Sequence, residues 1–140
     1  MNYLNRLLII LLVIGIAGCG KKVWPEPDAS QEKFSISETS GQIEDGCAVI
    51  KSEISGNHRN LGRIILELEI SDDHCPACPF LVTDSVFMAP GSRSVTIEEK
   101  SLTITHCGLD PDRYYRARLR AGNIYPMIRE VTSGVINISQ

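Results

Sequence analysis

Thiols are the groups in this 140-residue chain whose types and spacing could do chemistry. Cys47, Cys75, Cys78 and Cys107 lie in its body, and His74 and His106 each directly precede a cysteine. Cys75-Pro76-Ala77-Cys78 has the spacing of dithiol redox couples, in which the first sulfur is activated at a helix N-terminus. Here Pro79 follows and no helical pattern does. The expected role is a structural staple closing a loop, and the alternative is a thiol–disulfide redox protein using Cys75 and Cys78. Zinc could draw on Cys75, Cys78 and Cys107 with His74 and His106, but oxidation of the thiols competes with it. Once oxidised, four cysteines allow three pairings. The sequence carries no Gly-x-Ser-x-Gly, no His-Glu-x-x-His and no glycine-rich phosphate loop. Its acids fall singly or in turns such as Asp72-Asp73 and Asp110-x-Asp112, without a matched base. The expectation is a protein that is not an enzyme and takes no cofactor and no metal.

A fifth cysteine, Cys19, stands apart. Met1 to Arg6 is a short polar start with one positive charge, and Leu7 to Ala17 is an apolar run broken only by Gly15. That run is too short to cross a bilayer, which needs about 20 residues, and reads as an export signal over 1–18. Its end, Ile16-Ala17-Gly18-Cys19, resembles the bacterial lipobox. The resemblance implies that Cys19 receives diacylglycerol, becomes the first residue of the mature protein and is then acylated on its new amine. Several acyl chains contribute about 0.8 kcal/mol for each buried methylene, enough for a lasting anchor. Gly20 stands where the aspartate of inner-membrane lipoproteins would be, which favours the outer membrane of the bacterial cell envelope.

Residues 19–31 hold two lysines, two prolines and Trp24, with no apolar period, and read as an extended tether. Cys19-Gly20-x-Lys22 followed by prolines is similar to the start of small bacterial lipoproteins, one of which assists lipopolysaccharide export. That similarity implies a further alternative, an accessory lipoprotein of outer-membrane assembly. Removing Arg6 from the 14 Lys and Arg leaves 13 against 17 acids, a charge of −4 for the mature part. Phosphate backbones are bound by clustered Lys and Arg, so nucleic acid is excluded as a partner. The expected partners are the membrane, through the anchor, and an envelope protein.

These groups must be positioned by the remaining segment, 32–140. Short alternating apolar runs broken by turn residues predict strands at 33–38, 46–54, 63–70, 80–88, 95–105, 114–121 and 131–138. The fifth is one long strand or two divided near Glu99-Lys100. Seven strands in about 109 residues predict an all-β, immunoglobulin-like sandwich. Leu109-Asp110-Pro111-Asp112-Arg113-Tyr114-Tyr115, followed by alternating Ala117, Leu119 and Ala121, resembles the fibronectin type III signature. In place of that family's early tryptophan this chain has Val49-Ile50-Lys51-Ser52.

The fibronectin type III-like resemblance implies a structural tyrosine corner from Leu109, Pro111 and Tyr115, the Tyr115 hydroxyl bonding backbone near Leu109. It implies that the strand opened by Cys47 neighbours the one followed by Cys107, bringing their Cα atoms within about 4.4–6.8 Å for a bridge. Cys75 would then pair with Cys78. It further implies that Arg116, Arg118 and Arg120 share an outer sheet face with Glu67 and Glu69, as a solvated charge ladder. The resulting expectation is a cell-envelope lipoprotein displaying a non-enzymatic β-sandwich as an interaction or structural module.

Overall fold

The computed structural model describes residues 30–139. The expected signal segment 1–18, the lipidation residue Cys19 and Trp24 lie outside the described residues, as does the tether up to residue 29.

Alternating apolar residues place one face of each strand inward, because side chains on a strand repeat every two residues. The strands are β1 (Phe34–Glu44), β2 (Cys47–Gly56), β3 (Leu61–Ser71), β4 (Asp84–Met88), β5 (Val95–Glu98), β6 (Ser101–Cys107), β7 (Tyr114–Asn123), β8 (Val131–Thr132) and β9 (Ile136–Ile138). A single 3-10 turn, His58–Asn60, joins β2 to β3. One sheet runs in the order β1-β2-β6-β5, the other β4-β3-β7, with β8 and β9 both paired to β7. All these pairings are antiparallel.

The core lies between the sheets. Ile50, Ile54, Leu102 and Ile104 from one meet Ile64, Leu66, Leu68 and Leu119 from the other, all fully buried. Each such side chain contributes about 1.5–3 kcal/mol by leaving water. At one end the sheets are tied together: Ile43 N–H donates to the Ser139 carbonyl at 2.8 Å, beside a parallel bridge between Gln42 and Ser139.

Three elements differ from the sequence expectation. The first strand continues past Glu38 to Glu44 because a bulge between Ser37 and Ser40, with Glu38 at φ 48°, absorbs the break in alternation. The seven expected runs become nine strands. The Glu99-Lys100 turn divides β5 from β6, one of the two arrangements expected there, whereas the break at Ser133-Gly134-Val135 between β8 and β9 is the unexpected one. Residues 80–82 fall outside the strand, Thr83 keeps one backbone bond to the Leu68 carbonyl at 2.8 Å, and β4 begins only at Asp84.

Chain entry and the disulfides occupy opposite ends. Phe34 pairs with Gly56 at one, near the 3-10 turn and the end of β7. Cys47 pairs with Cys107 at the other, where β3 ends opposite Tyr114.

Candidate functional site

Cys47 and Cys107 face each other directly across the β2–β6 ladder and are bonded, with Cα atoms 3.9 Å apart. That is closer than the expected window, since the two occupy one register position. Cys75 and Cys78 are bonded to each other within the β3–β4 connection, their Cα atoms 5.4 Å apart. The Cys78 N–H donates to the Cys75 carbonyl at 3.2 Å, a turn with no helix beginning at either sulfur. Among the described residues no group of three or more His, Cys, Asp and Glu is arranged to hold a metal ion. His74 lies against Tyr114 in a tilted ring contact, ring centres 5.2 Å apart.

The Cys75–Cys78 loop is fastened to the outer face of the β3–β7 pair. Arg116 is the fastener. Its Nη1 donates to the carbonyls of Cys78 at 2.7 Å and Pro76 at 3.3 Å, and its Nη2 to that of Pro79 at 3.1 Å. The same Nη2 lies 2.5 Å from Glu69 Oε2, directly across the ladder. Phe80 turns down onto this face, its ring 5.0 Å from the Arg118 guanidinium carbon and 5.9 Å from that of Arg116. These cation–π contacts explain why Phe80 left the strand expected for it.

The outer-face charges do pair across the strands, with Arg118 and Arg120 about one third exposed, but the expectation of a solvated ladder is corrected for Glu67, Glu69 and Arg116, which are covered. Glu67 is only 5% exposed, and the side chains of Arg116 and Glu69 are 11% and 15% exposed. Arg118 Nε and Nη2 hold Glu67 Oε2 at 2.8 and 2.5 Å, and Arg120 Nη1 holds Oε1 at 2.9 Å. Arg120 also grips Glu130, which Arg63 grips from its other side. Burial by itself would raise the Glu67 pKa, but the hydrogen bonds from Arg120 and Arg118 outweigh it and hold the carboxyl below its ordinary value. Hydrogen bonds from Arg120 and then Arg63 lower that of Glu130. Arg120, bonded by both acids, is shifted upward.

Tyr115 is buried where β7 begins, and its Oη accepts the backbone N–H of Asp110 at 2.7 Å. Leu109 packs on the core beside it, and its N–H reaches the Gly46 carbonyl at 3.4 Å. Pro111, Tyr114, Arg113, His74, Cys75 and Asn137 line a groove of about 560 Å³ at this same end. Arg113, in its lining, pairs with Asp72.

No protein-family model matches the chain, and a search of curated proteins finds no match. The site is therefore described by its own geometry. Cys47 and Cys107 come together, as do Cys75 and Cys78, and Leu109, Pro111 and Tyr115 share one corner with the groove. Cys19 lies outside the described residues.

Sequence reasoning missed the chain's entry clamp. Asn60 and Asn123 donate through Nδ2 to the Glu32 carbonyl at 3.2 and 2.8 Å, and Asn57 Nδ2 reaches Glu32 Oε2 at 3.1 Å. Asn57-His58-Arg59-Asn60 looks like a polar surface turn, and only the burial of Asn60 marks it as a receptor for backbone.

Proposed function

We propose that this chain is a cell-envelope lipoprotein, acylated at Cys19, that displays a non-enzymatic, fibronectin type III-like sandwich as an interaction module. Cysteine arithmetic carries the reading. The chain has five cysteines, and four of them are consumed in two bridges, which leaves Cys19 as the odd one at the end of the apolar run. Disulfides persist in oxidising compartments, so the bridges support export as the lipobox resemblance does. The fibronectin-like assignment draws support from the strand orders β1-β2-β6-β5 and β4-β3-β7, which match those of immunoglobulin-like sandwiches, and from the Tyr115–Asp110 bond. The loop bearing Cys75 and Cys78 acts as a fastened staple, and the groove at that end offers a concave surface to an envelope protein. The outer membrane is the favoured location.

Mass spectrometry of the mature protein from a bacterial membrane tests this. The expected result is a chain lacking residues 1–18 with added acyl mass, and a Cys19→Ala chain that moves to the soluble fraction. A mature protein that retains Met1, or carries no acyl mass, overturns the reading.

A further inference from the structure

We propose that the end of the sandwich where the chain enters is a membrane-docking face, in which the turn 124–129 seats apolar side chains in the headgroup layer of an anionic lipid bilayer. This rests on the lipid-anchor reading above and adds to it a fixed side of the domain turned toward the membrane.

The entry point cannot swivel. The Glu32 carbonyl is held by the amides of Asn60 and Asn123, and the Lys33 carbonyl accepts the Asn57 N–H at 2.9 Å. Gly56, at φ 82°, lets Lys33 pass close by, since a Cβ there would lie 2.5 Å from the Lys33 carbonyl oxygen. Chain direction at residue 32 is therefore set by the folded domain.

The adjoining turn is equally fixed. Ile124 N–H donates to the Asn60 carbonyl at 2.8 Å, so the turn begins against the same residue that grips the entering chain. Tyr125 N–H bonds Asn123 Oδ1 at 2.9 Å, Ile128 N–H bonds the Tyr125 carbonyl at 3.0 Å, and the Ile128 side chain is buried beneath. On this rigid base Ile124 is 51% and Met127 73% exposed. Exposed Lys33, Arg59 and Arg129 lie in the same stretches of chain, where the Glu32 carboxylate is taken up by Asn57, whereas the exposed acids Glu98 and Glu99, though at the same end, sit on β5 and its turn at the opposite edge of the sheet from β1. Apolar tips with basic neighbours complement the interface of an anionic bilayer. Eleven peptide links from Cys19 to Ser30 reach no more than about 40 Å. So short a leash gives the face a high effective concentration at the bilayer, and weak contacts suffice to hold it there.

The test is made independent of acylation. The chain from position 19, with Cys19→Ala and an N-terminal polyhistidine tag, is held by a nickel-chelating lipid on vesicles of phosphatidylethanolamine and brominated phosphatidylglycerol. Trp24→Phe is combined either with Ile124→Trp or, at the opposite end, with Tyr114→Trp. The new indole at position 124 is expected to lose most of its emission to bromine, and that at 114 to keep it. Arg59→Glu with Arg129→Glu, or replacing phosphatidylglycerol by phosphatidylcholine carrying the bromine, is expected to restore emission at 124. In the chain with Ile124 unchanged, peroxide oxidation of Met127 is expected to slow several-fold on anionic vesicles, with buried Met88 as internal reference. Equal quenching at the two ends, or no quenching at 124 together with unprotected Met127, overturns the proposal. Failure of acylation in cells alongside positive quenching here would sink the anchor and leave the docking face standing.

Discussion

At Glu67, burial and charge pairing pull in opposite directions, and the two guanidinium groups win. The folded carboxyl titrates below its ordinary value of 4.5, while in the unfolded chain it returns there. Between those two pH values the native state binds fewer protons than the unfolded one. The stability from Glu67 is therefore complete above about pH 5 and is lost as pH falls through the folded value. Glu130 adds in the same direction. Thermal melts from pH 7 to pH 3 are expected to show a steep acid limb, and Glu67→Gln to flatten it while costing about 1–3 kcal/mol at neutral pH. Arg116→Ala removes three carbonyl contacts and a partner of Glu69. Hydrogen exchange is expected to rise across residues 72–83 and to stay slow along β3 and β7. The arginines and glutamates were legible in the sequence as a shared face, through their alternation with Ala117, Leu119, Leu66 and Leu68. Their burial was not, because it comes from a loop folding over the sheet, and a two-residue period carries no information about what covers the outer side.

Among the elements, inward faces were readable wherever apolar residues alternate without interruption, as along β3 and β7. Boundaries were lost where a side chain found a better partner outside the ladder, as Phe80 did, or where a bulge carried β1 through a polar stretch. The entry clamp is a third case. Three asparagines separated by up to 66 positions converge on Glu32, and no local pattern announces it. Gly56 makes the clamp geometrically possible, so Gly56→Ala combines a left-handed φ with a collision against Lys33. Its expected cost exceeds about 1 kcal/mol, read as a lowered urea midpoint, and trypsin is expected to cut more readily at Lys33.

For the whole molecule the two bridges are unequal. Cys47–Cys107, with a sequence separation of 60, constrains the unfolded chain by about 4 kcal/mol, whereas Cys75–Cys78, with a separation of 3, constrains it by about 2. Paired serine substitutions at 47 and 107 are expected to lower the urea midpoint clearly more than those at 75 and 78. An equal loss would mean that the small loop carries the sheet through Arg116.

The long bridge also has a mechanical consequence. If the domain is held at a surface, as proposed, a pull on it puts tension on the chain from residue 32 inward, and its strands would peel from that side. The sulfur link sits at the far pole and takes 60 residues, about 200 Å of contour, out of the length that could be drawn. A torn domain would thus lengthen only by its flanks and keep β2 joined to β6, ready to recoil once the load is gone.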